Sequence, residues 1–113
     1  MDMTVGEMTG GALCVALQGR LDTVGVDQVE TRFSAALADS NRDAAVDLSN
    51  VSFLASMGVR MIIATARKLR ARGHTLVLFG AQPLVRSTLE MVALDQIIPV
   101  VADRAQAQAR LAG

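Results

Sequence analysis

The chain has 113 residues, 51% of them hydrophobic, with eleven basic residues balanced by eleven acidic ones. That length suits one domain with a real core, and the formal net charge of zero supplies no global field to recruit nucleic acid or an anionic membrane. Three Phe and no Trp or Tyr leave aliphatic side chains to fill the core, with no interleaving of aromatic and basic residues of the kind that binds RNA.

A single cysteine, Cys14, cannot close an internal disulfide. It falls in a strand-like run, where it packs as a small hydrophobe, and this fits a reducing cytoplasm. The N-terminal stretch MDMTVGEMTGG carries acidic residues and no apolar run, so it does not read as a signal peptide. No apolar stretch approaches the roughly 18–20 residues that span a bilayer. The expectation is a single cytoplasmic domain over residues 1–113 without direct membrane insertion.

In chain order, Met3-Thr4-Val5 reads as a short edge strand, and Gly10-Gly11 as the turn of a hairpin into Ala12–Leu17. There Leu13, Val15 and Leu17 alternate with small residues, which suits one face buried under helices. Gly19 and Asp22-Thr23 end the strand and offer capping side chains. From about Gly25 to Asp39, Val26, Val29, Phe33, Ala36 and Leu37 recur at helical spacing, with Asp27, Glu30 and Arg32 turned outward.

After the polar link Ser40–Asp43, two periodicities meet between Ala44 and Leu69. Val46, Leu48, Val51, Phe53 and Leu54 predict a buried strand, a short polar break and a second apolar run. Val59, Ile62, Ile63, Ala66 and Leu69 predict a helix. The period changes at Ala55-Ser56-Met57-Gly58, which makes Ser56 the predicted helix N-cap, its hydroxyl open to solvent. Gly73 reads as the C-cap, with Arg67, Lys68, Arg70 and Arg72 near the negative end of the dipole.

Thr75–Phe79 is apolar almost without alternation, as a strand covered on both faces is. Pro83 suits the first turn of a helix whose buried side is Leu84, Val85, Leu89 and Val92. Ile97–Val101 reads as a final strand, with Pro99 placing it at an edge, and Asp103 caps a last helix from Arg104 to Leu111. Strands alternating with helices at these lengths predict an α/β domain with a partly parallel sheet. No internal repeat, low-complexity tract or linker divides it.

Catalytic constellations are missing. The only histidine, His74, follows the turn at Gly73 and reads as a turn residue. One His and one Cys give no zinc spacing, and there is no Gly-rich phosphate loop or nucleophile elbow. A small nucleotide-binding or hydrolytic enzyme would lack its phosphate loop, base and metal site. The protein is therefore expected not to be an enzyme and to use no cofactor. Asp22 and Asp47 can approach Ser56, or act only as a helix cap and a strand-end carboxylate.

Two motifs carry a resemblance. Asp47-Leu48-Ser49-Asn50-Val51-Ser52-Phe53-Leu54-Ala55-Ser56-Met57-Gly58-Val59 resembles the signature D-L-S-x-V-x-F-(hydrophobic)-D-S-(S/T)-G of the STAS domain, the fold of bacterial anti-sigma factor antagonists. Leu17-Gln18-Gly19-Arg20-Leu21-Asp22 is similar to its L-x-G-(E/R)-L-D. The resemblance covers nearly the whole chain. It implies a mixed sheet of about five strands with about four helices packed mainly on one face. Ala55 stands where the family has an acidic residue, Met57 where it has a hydroxyl, and Arg60 where a glycine is frequent.

What the resemblance implies for function is a cytoplasmic, protein-binding regulator of transcription. The unphosphorylated form would bind an anti-sigma factor that is also a serine kinase. The kinase would phosphorylate Ser56 with its own ATP and Mg²⁺, and a serine phosphatase would reverse this. Partner-binding positions would be Asp22, Ala55, Met57, Gly58, Arg60 and Met61. Met57 and Met61, four residues apart with Ala64 beside them, predict an adaptable apolar patch next to the serine. Arg60 is placed to pair with a phosphate or with a partner's acid. The alternative keeps the fold without the switch: a subunit that scaffolds a signalling or membrane-transporter complex. Between Leu48 and Leu89 six basic residues occur and no acidic one, which reads first as a solvated face.

Overall fold

A computed structural model describes residues 1–112. Its elements run β1 (Asp2–Glu7), β2 (Leu13–Leu21), α1 (Thr23–Ala38), β3 (Ala44–Leu54), α2 (Ser56–Ala71), β4 (Leu76–Phe79), α3 (Pro83–Met91), β5 (Val100–Val101) and α4 (Arg104–Ala112). The five strands form one sheet in the order β1-β2-β3-β4-β5. β1 and β2 are antiparallel, joined through Gly10 and Gly11, both at positive φ where a side chain would be strained. The other pairs are parallel, so each is bridged by a crossover that carries a helix.

One face of the sheet holds the main core. Val15, Leu17 and Leu21 of β2 and Val46, Leu48 and Val51 of β3 meet Val29 and Phe33 of α1, Ile62 and Leu69 of α2, and Val85 and Leu89 of α3. On the other face Cys14, Ala45, Val77 and Phe79 are covered by Ala107 of α4. Three helices therefore lie on one side and one on the other.

Several helix ends follow the sequence signals. Gly73, at φ 80°, closes α2: its N–H donates to Arg70 O and the His74 N–H to Leu69 O, both within 3.0 Å. Pro83 opens α3, and the Asp103 carboxylate caps α4 through the Gln106 N–H at 2.9 Å. His74 is a turn residue, its ring between Asp43 (3.2 Å) and Asn41 (3.1 Å).

Other expectations need correction. β2 continues through Gly19 to Leu21. Ser49-Asn50 does not break β3, which is one strand of 11 residues. The register against β2 shifts between Ala16 and Gln18 and again between Gly19 and Arg20, so the polar residues mark bulges. Asp47 serves the first bulge: its carboxylate accepts from the Ser49 N–H (2.9 Å) and hydroxyl (2.6 Å), and it does not reach toward Ser56. Leu84 is 60% exposed and Val92 is also exposed, so only Val85 and Leu89 bury α3. Ile97 follows a 3-10 turn at Leu94–Gln96, and the final strand is reduced to Val100–Val101.

Candidate functional site

β2 and β3 end together. Leu21 pairs with Leu54, the Ala55 N–H donates to Leu21 O at 3.0 Å, and the chain turns into a helix at each end. The two exits also match in sequence. Leu21-Asp22-Thr23-Val24-Gly25-Val26 corresponds to Leu54-Ala55-Ser56-Met57-Gly58-Val59, with a hydroxyl residue at the first helical position and a buried glycine at the third. A comparison of the chain with itself over six residues would have found this echo, which brings exposed Thr23 and Val24 to the same end of the sheet as Ser56.

The first exit is capped. The Asp22 carboxylate accepts from the Gly25 N–H at 2.8 Å, and this bond, helped by the Arg20 guanidinium at 3.5 Å, holds it below the usual carboxylate range. Arg20 in turn lies over the Phe53 ring, 4.4 Å from its centroid. The second exit has no such cap. Ala55, not Ser56, occupies the N-cap position, with extended backbone and no side-chain acceptor, and the first turn of α2 contains no acid. Ser56 is the first helical residue, exposed to solvent.

Around Ser56 the surface consists of half-buried Asp22 and Ala55, Met57 at 39% exposure, and exposed Arg60 and Ala64. Two residues expected here face inward. Gly58 is buried, and a Cβ on it would lie 2.8 Å from side-chain atoms of both Leu21 and Leu54. Met61 is 3% exposed and belongs to the core. There is thus one exposed methionine beside the serine, not a pair.

Among the described residues no group of three or more His, Cys, Asp or Glu is placed to hold a metal, and no helix is long and apolar enough to cross a membrane. A depression of about 250 Å³ lies at the other end of the sheet, between the hairpin turn at Thr9–Ala12, Arg42, His74 and Gln108. Its lining includes none of Asp22, Ala55, Ser56, Met57 and Arg60. Ser56 thus presents an exposed hydroxyl beside a thioether and a guanidinium, away from that depression.

Comparison with known proteins agrees with this fold. The family model described as STAS domain matches residues 5–107. A candidate anti-sigma factor antagonist of Bordetella bronchiseptica, BtrV, is 29% identical over 109 residues, 96% of this chain and 93% of that protein. The structure of an anti-sigma-factor antagonist (STAS) domain protein from Planctomyces limnophilus superposes with a TM-score of 0.88 at 18% identity, covering 100% of both chains. The Bacillus cell fate determinant SpoIIAA in its phosphorylated form superposes with a TM-score of 0.70 at 22% identity, over 96% of this chain and 98% of that one.

Proposed function

The chain belongs to the STAS domain family, and on that premise we propose that it is an anti-sigma factor antagonist, a binding protein whose docking surface is centred on Ser56. Unphosphorylated, it holds an anti-sigma factor that is also a serine kinase, which frees a sigma factor. Phosphorylation at Ser56 releases the complex, and a separate serine phosphatase resets it.

The observation that carries this reading is the uncapped start of α2. Ser56 is exposed on the first helical position, and no side chain caps the first-turn N–H groups. A phosphate there adds close to two negative charges where the dipole and free N–H groups stabilise them. The domain therefore keeps its fold, and the penalty falls on a partner surface seated over Met57 and Arg60. A hundredfold loss of affinity requires only about 2.7 kcal/mol, within reach of one misplaced phosphate at an interface.

The name of the Bordetella relative and the phosphorylated state of the Bacillus neighbour point the same way. The second reading, a scaffold subunit that works without phosphorylation, is favoured by Ala55 and Met57, which depart from the family pattern on both sides of the serine.

The test is a pull-down from native cytoplasm with wild-type protein, Ser56→Ala and Ser56→Asp in parallel. The switch predicts a kinase-type anti-sigma factor retained by wild type and Ser56→Ala and lost from Ser56→Asp. Equal retention of one set of partners by all three supports the scaffold.

A further inference from the structure

The solvent face of α2 carries one sign of charge. Met57, Arg60, Ala64, Arg67, Lys68 and Ala71 are exposed along it, and Ser56–Ala71 contains no acidic residue. Some of its cations have local roles. Arg70 donates to Ile97 O at 3.1 Å and Arg72 to Ala38 O, both near the helix end where the dipole favours positive charge. Lys68 reaches the Ser34 hydroxyl at 3.1 Å.

Arg60 and Arg67 are different. Among the described residues neither makes an ion pair or a side-chain hydrogen bond; the four ion pairs involve Arg20, Arg42, His74 and Arg86. Arg60 also stands in the first half of the helix, where the dipole opposes a cation. Neighbouring α1 exposes Asp27 and Glu30, with Asp39 at its C-cap, yet none of them forms an ion pair with α2. Nothing within the described chain accounts for the two arginines.

We infer that the row Arg60, Arg67, Lys68 extends the Ser56 surface into a docking spine for an acidic protein segment. Arg60 and Arg67 are seven residues apart, about 10 Å along the helix, so two carboxylates at that spacing would engage both. Charge complementarity commits the spine to a protein partner over nucleic acid. The row is short, only three cations, and the chain as a whole has no net charge, both of which oppose a long polyanion such as a nucleic-acid duplex more than a short acidic segment. The inference rests on the proposed role of this surface but is tested without it.

The probe is a hexaglutamate peptide titrated into the ¹⁵N-labelled protein, with hexalysine and a short DNA duplex as controls. The expected result is shifts concentrated on amides 56–68, weakened about tenfold by added salt, and about tenfold by the double substitution Arg60→Glu, Arg67→Glu, whose sites are exposed and carry no core contact. Unchanged affinity in that double variant, or shifts confined to 70–74, overturns the spine. Tighter binding of the duplex through the same amides replaces the protein partner with a nucleic acid. Peptide-free shifts that grow with protein concentration replace it with a second copy of the chain. The same double variant belongs in the pull-down: if it retains the partner that Ser56→Asp loses, the spine is wrong while the switch stands.

Discussion

The two helix starts at the end of β2 and β3 are near copies that differ at the N-cap. Asp22 gives α1 a charged acceptor for the Gly25 N–H, whereas Ala55 gives the Gly58 N–H none. The glycines differ as well. A Cβ on Gly25 would fall 2.1 Å from the Arg20 carbonyl oxygen, a backbone atom, while one on Gly58 would meet only leucine side chains. The α1 start is locked against its own strand. The α2 start is held by the Ala55 N–H on Leu21 O and by packing, with no side-chain cap, and keeps its first-turn N–H groups for something outside.

The sharpest way to break this comparison is to add a methyl group to each glycine. Gly25→Ala should cost about 3 kcal/mol or more, because the carbonyl cannot yield without moving the strand, whereas Gly58→Ala should cost about 1–3 kcal/mol as the leucines shift. Urea unfolding of both variants decides it, and equal losses would mean that the two starts are equally rigid. Supplying the missing cap comes next. Ala55→Asp should stabilise the domain by about 1 kcal/mol, since Ala55 already has the extended backbone that a cap requires. Ser56→Ala should stay within about 0.5 kcal/mol of wild type; a larger loss would restore Ser56 as the cap.

The smallest effect is in acid. The folded state lowers the pKa of Asp22, so its contribution is present above the usual carboxylate pKa and is lost as pH falls through the depressed one. Asp22→Asn keeps an acceptor for Gly25 but has no proton to gain. Its acid unfolding curve should therefore lose that part of the pH dependence, and an unaltered curve would mean that another carboxylate governs it.

The alternation of strands and helices, the Gly73 end of α2, Pro83 and the Asp103 cap were all legible because each depends on local backbone chemistry. The misreadings share a non-local cause. Ser56 is a better capping residue than Ala55 by propensity, but the Ala55 N–H is held by Leu21 O, which keeps residue 55 extended as the N-cap and starts the helix one residue earlier than a Ser56 cap would. By sequence Met61 falls outside the apolar stripe of Val59, Ile62, Ile63, Ala66 and Leu69. α2 packs against α1 as well as the sheet, and this widens its buried arc to include Gly58, Met61 and Thr65. The polar pair Ser49-Asn50 resembled a break because a bulge, like a loop, needs side chains that can satisfy free backbone groups.

Cys14, the only thiol in the chain, lies in the small core beneath α4, with Arg104 Nη1 at 3.5 Å from its sulfur. Burial raises its pKa, with Arg104 opposing in part, so reagents should reach the thiolate only when α4 lifts away. The rate at which a thiol dye labels the native protein then becomes a clock for the detachment of one helix, on the face of the sheet opposite α1, α2 and α3. Labelling as fast as that of a free cysteine would show α4 to be undocked much of the time; protection many powers of ten stronger would make its release part of global unfolding.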